Sequence, residues 1–134
     1  MGRVSGKVAF ITGAARGQGR SHAIRLAEEG ADIIAIDLME QMGSIPYPMS
    51  TEEDMAETVR LVESLDRRIL ARKVDVRDQA GLDAAVAEGV AEFGHIDIVC
   101  ANAGIMSLAS TSWNRWVQFR TRCRLKKTWL KPFA

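Results

Sequence analysis

Cysteine, tyrosine and long apolar runs are all scarce in this 134-residue sequence. Cys100 and Cys123 are its only cysteines and form no C-x-x-C spacing, so the sequence predicts neither a zinc site nor a disulfide framework. Cys100 is expected to be a small buried hydrophobic residue. No apolar run long enough for a signal peptide or a spanning helix precedes the first glycine-rich turn, so we expect a cytoplasmic protein without a membrane partner. His22 and His95 stand apart and are expected on the surface, and we predict no metal site.

Acidic residues are absent from the last part of the chain. The whole sequence holds 18 Lys/Arg and 17 Asp/Glu, a net charge of +1. Residues 113–134 contain 7 of the basic residues, all three tryptophans and no acid. This change of composition predicts a boundary between residues 1–112, a folded unit, and an irregular basic tail.

Strand-like and helix-like runs alternate through the first 104 residues. The first three predicted strands cover residues 7–12, 31–37 and 69–76, and residues 96–104 hold the fourth strand and its exit turn. The three predicted helices cover residues 18–29, 51–68 and 78–93, and Thr51 with Asp54 forms a capping-box pattern at the start of the second. This alternation is typical of an α/β protein, and right-handed crossovers give a parallel sheet with strand order 3-2-1-4. Arg72 and Lys73 favour an edge position for the third strand. We therefore predict an incomplete Rossmann-type, doubly wound sheet.

The stretch "ITGAARGQGRSHA" lies between the first predicted strand and helix. Its glycines Gly13, Gly17 and Gly19 follow the spacing G-x-x-x-G-x-G. Gly13 allows a sharp turn, and Gly17 and Gly19 allow the backbone to approach a pyrophosphate at a helix N-terminus. A plain turn is the alternative, but the flanking strand and helix favour a phosphate-binding loop.

An acidic residue ends the second predicted strand. Asp37 follows Gly19 by 18 positions, close to the offset at which a carboxylate binds an adenosine ribose. A carboxylate there also repels a 2′-phosphate, which favours NAD over NADP. Arg16 beside the turn could instead pair with a 2′-phosphate, and Asp37 could be a solvated strand end. We predict NAD because Asp37 holds the more direct position.

Four motifs together resemble the cofactor-binding half of the short-chain dehydrogenase/reductase family. They are "TGAARGQG" (12–19), Asp37, "DV" (75–76) and "NAG" (102–104). The resemblance runs from Lys7 to about Trp113. Gln18 and the inserted loop 38–50 are similar to the mycofactocin-associated, carveol-dehydrogenase-like subgroup.

The resemblance implies roles for several residues at the carboxyl ends of the strands. Asp75 would accept a hydrogen bond from the adenine amino group, with the Val76 backbone along the ring edge. Asn102 would stabilise the central sheet, and Ala103 and Gly104 would leave room for a ribose. Two alternatives stay open: Asp75 could cap the next helix, and Gly104 could only turn the chain. The expected cofactor-binding residues are Gly13, Arg16, Gly17, Gln18, Gly19, Asp37, Leu38, Asp75, Val76, Asn102, Ala103 and Gly104.

No catalytic residue can be assigned from the resemblance. The family uses a Tyr-x-x-x-Lys pair for proton transfer. The one tyrosine here is Tyr47, and Thr51 lies four positions on. The resemblance implies a small alcohol or ketone substrate and homo-oligomeric full-length relatives. For this chain alone we expect cofactor binding with little turnover, and an unpaired apolar sheet edge at Ile96–Cys100.

Two interpretations of residues 113–134 compete. The segment could be a basic module that binds nucleic acid or anionic lipid. We favour a shift of the reading frame near Trp113, because the resemblance stops there and the residues beyond it are rich in arginine and tryptophan but contain no acid. We do not expect a nucleic-acid partner. The alternatives to a dehydrogenase are a non-catalytic dinucleotide-binding protein and a vestigial domain with a nucleic-acid-binding tail.

Overall fold

The computed structural model describes residues 2–106, in which four strands alternate with three helices. The elements in chain order are β1 (Val8–Thr12), α1 (Gly17–Glu28), β2 (Asp32–Asp37), α2 (Glu52–Glu63), β3 (Ile69–Lys73), α3 (Gln79–Phe93) and β4 (Ile98–Cys100). None of the three described helices is both long and apolar enough to cross a bilayer. The basic segment 113–134 lies outside the described residues.

All described strand pairs are parallel, and the sheet has the order β3-β2-β1-β4. The predicted strand order and the edge position of β3 are therefore confirmed. Phe10 of β1 lies between Ile34 of β2 and Val99 of β4 in this register. Because the strands run in one direction, their carboxyl ends meet at one edge, where the glycine-rich loop begins.

The central strand explains why the predicted runs are apolar throughout. All five residues of β1 are buried, since helices cover both faces of the sheet. Ala9 and Ile11 belong to the core on the side of α1 and α2. Phe10 faces the opposite side, where Ala85 and Phe93 of α3 pack. This arrangement confirms the doubly wound fold.

Two elements end earlier than predicted because local backbone geometry stops them. Helix α2 ends at Glu63 rather than near Arg68, and Asp66 takes a left-handed conformation with φ of 56°. Strand β3 ends at Lys73 rather than at Val76. The chain then turns, with the Asp78 N–H donating to the Asp75 carbonyl at 2.9 Å. Neither turn contains glycine or proline, so no residue type in the sequence marks either turn.

Strand β4 is shorter than predicted and forms one edge of the described sheet. It begins at Ile98, and Val99 is 67% exposed. Cys100 is partly exposed, so the expectation that it is buried is wrong. His22 and His95 are exposed as expected, but His95 has a partner, because its Nε2 lies 3.0 Å from Asp97 Oδ2.

Helix α2 starts with a reciprocal cap that the sequence predicted. The Asp54 N–H donates to Thr51 Oγ1 at 3.2 Å, and the Thr51 N–H donates to Asp54 Oδ2 at 3.0 Å. Replacing Thr51 by alanine (Thr51→Ala) removes one of these bonds. We expect the free energy of unfolding to fall by about 1 kcal/mol, measured by urea denaturation. Thr51→Ser, which keeps the hydroxyl, is the control, and a Thr51→Ala protein as stable as the wild type would contradict the prediction.

Candidate functional site

A cavity of about 410 Å³ lies at the carboxyl ends of the strands. All of the predicted cofactor-binding residues except Gly19 line it. The predicted residues that line the cavity are Gly13, Arg16, Gly17, Gln18, Asp37, Leu38, Asp75, Val76, Asn102, Ala103 and Gly104. The structure thus brings together four motifs that are up to 92 positions apart in the sequence, from Thr12 to Gly104.

The three positions of the loop occupied by glycine differ in what a side chain there would meet. A Cβ on Gly13 would lie 2.9 Å from the Ala103 Cα, and a Cβ on Gly19 would lie 2.0 Å from the Gly13 carbonyl oxygen. These two glycines let the loop pack against the protein itself. Gly17 has φ of 59°, and its missing Cβ would meet no atom within 4 Å. Gly17 therefore borders open space on the cavity side.

The first turn of α1 is open to an anion. Arg16 is the N-cap residue, its side chain makes no capping hydrogen bond, and the first turn contains no acidic residue. The first N–H groups of a helix have no partner within the helix, and the helix dipole places partial positive charge there. Because Gly17 and Gln18 of this turn line the cavity, its polar end favours a negatively charged group.

The carboxylate of Asp37 is held from two sides. Its Oδ2 accepts the Ala15 N–H at 2.9 Å, which joins it to the glycine-rich loop. Its Oδ1 accepts the Ser50 hydroxyl at 2.6 Å and the Met39 N–H at 3.4 Å. Each carboxylate oxygen can accept more than one hydrogen bond, so the group retains capacity for a ligand.

The inserted loop 38–50 folds over the same cavity. Gln41 organises it, since its Nε2 donates to the carbonyls of Ile45 and Tyr47 at 3.2 and 3.3 Å, and its Oε1 accepts the Met49 N–H at 3.0 Å. The Tyr47 hydroxyl accepts the Met106 N–H at 2.8 Å. Tyr47 thus links the loop to the segment after β4.

Sequence reasoning missed seven of the lining residues. These are Met42, Tyr47, Met49, Ser50, Val74, Arg77 and Ile105. The unusual length of the loop and its two prolines mark it as a special segment, but no pattern within it shows which side chains turn inward. Arg16 is also placed differently from the 2′-phosphate alternative, because its Nη2 donates to the Pro48 carbonyl of this loop at 2.5 Å.

The "NAG" motif fastens the end of β4 to the end of β1. The N–H groups of Asn102 and Ala103 both donate to Thr12 Oγ1, at 3.0 and 2.9 Å. The Asn102 side-chain amide donates to the carbonyls of Thr12 and Gly13, at 3.1 and 3.3 Å. Asn102 therefore holds the glycine-rich turn against the neighbouring strand.

Asp75 pairs with Arg77 two residues further along the chain. The Arg77 side chain donates to both carboxylate oxygens, at 2.5 to 3.0 Å, and its backbone N–H donates to Oδ1 at 2.9 Å. These bonds, the side-chain ones first, lower the pKa of Asp75 to about 2 from its ordinary value of 3.8. Asp78, not Asp75, is the N-cap residue of α3.

The Asp75–Arg77 pair should make the stability of the fold depend on pH. The pKa of Asp75 is lowered in the folded protein, so the pair stabilises the fold above about pH 4 and loses this contribution as the pH falls towards 2. Arg77→Gln should raise the pKa of Asp75 towards 3.8, measured by NMR of the carboxyl carbons during an acid titration. Arg67→Gln, a similar change at a half-buried arginine away from Asp75, is the control. An unchanged titration in Arg77→Gln would contradict this account.

Gly19 is the loop glycine that tolerates a side chain least. Gly19→Ala should lower the free energy of unfolding by about 1–3 kcal/mol, because the new methyl group overlaps a backbone oxygen that cannot move away easily. Thermal and urea unfolding measure the effect. Gly43→Ala is the matched control, since a Cβ there would meet nothing within 4 Å. Equal stability of the two variants would show that the loop can relax around Gly19.

The chain is similar in sequence to proteins named as oxidoreductases or dehydrogenases. An NAD-dependent oxidoreductase of Mycobacterium tuberculosis is 58% identical over 106 residues, which cover 78% of this chain and 38% of that protein. The (-)-trans-carveol dehydrogenase of Rhodococcus erythropolis is 49% identical over 122 residues, covering 88% of this chain and 44% of that protein. The chain thus spans about two fifths of the length of these relatives.

Solved structures agree with the sequence relatives. The crystal structure of carveol dehydrogenase from Mycobacterium avium in complex with NAD superimposes with a TM-score of 0.78 at 61% identity, over 80% of this chain and 39% of that one. It shares the Rossmann-like fold described above. The sequence profile described as "short chain dehydrogenase" matches residues 7–122. The chain therefore belongs to the short-chain dehydrogenase family.

Proposed function

We propose that this chain binds NAD and forms the cofactor-binding part of an NAD-dependent oxidoreductase that acts on a small alcohol or ketone. The observation that carries the proposal is the cavity at the strand ends, which combines an uncapped helix N-terminus with an acidic residue at the end of β2. Such a crevice outside the carboxyl ends of parallel strands is where open α/β sheets bind ligands.

The residues around the cavity fit the successive groups of NAD. The loop from Gly13 to Gly17 and the N–H groups of α1 would hold the pyrophosphate. Asp37 would accept hydrogen bonds from the adenosine ribose. The open space beside Gly17, where a Cβ would meet no protein atom, supports this fit because it leaves room for a phosphate group.

The remaining predicted residues would surround the two ends of the cofactor. Asp75 and Val76 would border the adenine, and Leu38 would lie beside the adenosine ribose. Ala103 and Gly104 would leave room near the nicotinamide ribose. When bound, NAD supplies a nicotinamide ring that exchanges a hydride with the alcohol carbon.

The charges at the adenosine end support NAD over NADP. The Asp37 carboxylate would repel a 2′-phosphate at the position where the ribose hydroxyl binds. Arg16, the cation that could neutralise such a phosphate, donates to the Pro48 carbonyl instead. Arg16 would therefore have to leave the Pro48 carbonyl before it could pair with the 2′-phosphate of NADP.

We further propose that the 134 residues bind the cofactor without oxidising alcohols by themselves. Tyr47 is the one tyrosine in the sequence, and its hydroxyl accepts a backbone N–H in the described cavity rather than facing a lysine four positions on. The named relatives that oxidise carveol, a secondary alcohol, support the alcohol or ketone class of substrate.

Binding of NAD tests the proposal through Asp37. Asp37→Asn removes the charge that would bind the ribose hydroxyls, and loss of a charge-assisted hydrogen bond should raise the Kd for NAD about 10- to 100-fold. The same variant should discriminate less against NADP. Isothermal titration calorimetry gives both Kd values. NAD at about 100 times its Kd should also stabilise the wild type by about 2.7 kcal/mol in thermal unfolding.

Asp32→Asn is the matched control, because Asp32 lies at the opposite end of the same strand and contacts Arg68. It should change stability but leave the Kd for NAD unaltered. A wild-type chain that shows no binding of NAD would contradict the proposed function. Formation of NADH from a secondary alcohol by this chain alone would contradict the proposed absence of turnover.

A further inference from the structure

Two side chains hold the glycine-rich loop from the side opposite the cavity. Thr58 of α2 is fully buried, and its Oγ1 lies 3.2 Å from the Ala14 carbonyl oxygen and 2.9 Å from that of Ala15. Arg20 of α1 donates to the Ala15 carbonyl through Nε and Nη2, at 3.1 and 2.6 Å, and to Thr58 Oγ1 at 2.9 Å. We call these two residues the Thr58–Arg20 clamp. Neither of them lines the cavity.

The clamp is anchored on the first turns of α2. Arg20 Nη2 donates to the Asp54 carbonyl at 2.7 Å and lies 3.6 Å from Asp54 Oδ1. Thr58 Oγ1 lies 3.2 Å from the same carbonyl. Hydrogen bonds from a guanidinium are about twice as strong as neutral ones, and a buried hydroxyl needs its partners. The clamp is therefore a rigid support rather than a loose contact.

Because peptide units are planar and trans, the clamp also fixes the direction of N–H groups in the loop. No peptide bond in the described residues is cis, and in a trans peptide the C=O and the following N–H point in opposite directions. With the Ala14 carbonyl turned to Thr58, the Ala15 N–H points away from α2, where it donates to Asp37 Oδ2 at 2.9 Å. With the Ala15 carbonyl turned to Arg20, the Arg16 N–H points away from the clamp in the same manner.

We propose that Thr58 and Arg20 are positioning residues for NAD, an inference that rests on the proposed function. They fix two consecutive peptide units of the loop before the cofactor arrives, so that binding does not have to order them. The Ala15 N–H keeps the Asp37 carboxylate aimed at the ribose position, and the Arg16 N–H stays available beside the pyrophosphate position. The cofactor affinity then depends on side chains that do not contact the cofactor.

Removing the Thr58 hydroxyl tests this inference. Thr58→Val keeps the shape of the side chain but removes the single O–H that the Ala14 and Ala15 carbonyls share. In the full 134-residue chain, at a temperature where circular dichroism shows every variant folded, we expect its Kd for NAD to rise about 3- to 10-fold by calorimetry. Thr58→Ser, which keeps the hydroxyl, should restore the wild-type Kd.

A second readout requires no ligand. If the clamp orients the peptide units, hydrogen exchange of the Ala15 amide should be faster in Thr58→Val, whereas exchange of the amides in β1 should change much less. Arg20→Lys keeps the positive charge but loses the planar fork, so it should raise the Kd in the same direction. It serves as the second variant where Thr58→Val does not fold.

The control separates positioning from simple stability. Val62 is fully buried one turn further along α2 in the same apolar core, but its side chain has no polar atom and cannot hydrogen-bond to the loop. Val62→Ala should lower the melting temperature and leave the Kd for NAD unchanged. Wild-type affinity in both Thr58→Val and Arg20→Lys would overturn the inference. A wild-type chain without NAD affinity would instead overturn the proposed function, and the exchange of the Ala15 amide would still test the clamp.

Discussion

The parallel pairing of β1 with both of its neighbours is the constraint on which the rest of the structure depends. Every residue of β1 is buried, so the strand can exist only where helices cover both faces of the sheet. Parallel pairing also forces each strand to leave the sheet at the same edge. The glycine-rich turn, the acid at the end of β2, the turn after β3 and the "NAG" motif therefore meet around one cavity.

The cavity is built in layers, and each layer supports the next. Asp37 belongs to β2, but its carboxylate is oriented by the Ala15 N–H of the glycine-rich loop and by the Ser50 hydroxyl at the end of the inserted loop. The glycine-rich loop is itself supported by Arg20 and Thr58. Ligand binding at such a site costs little conformational free energy, because its groups are already held in place.

Sequence reasoning predicted the elements better than their ends. The apolar runs and the capping box at Thr51 identified strands and helices correctly, because burial and capping leave clear signals in the residue types. The ends of α2 and β3 lie in turns that contain Asp66 and Asp75, where no glycine or proline marks the change of direction. The inward-facing residues of the inserted loop, such as Tyr47, follow no period and could not be predicted.

By itself the sequence determined the α/β fold and the motifs that identify the family, since these depend on residue types at short spacings within each element or motif. The strand order then followed from the right-handedness of the crossovers. Only the tertiary structure decided which side chains support those motifs. Thr58 lies 45 positions after Gly13 and carries no motif, yet it is buried against the loop. The sequence alone leaves open whether Arg16 pairs with a 2′-phosphate, whereas in the structure its guanidinium donates to the Pro48 carbonyl. These contacts between distant segments depend on how α2 and the inserted loop pack, and no local sequence pattern predicts that packing.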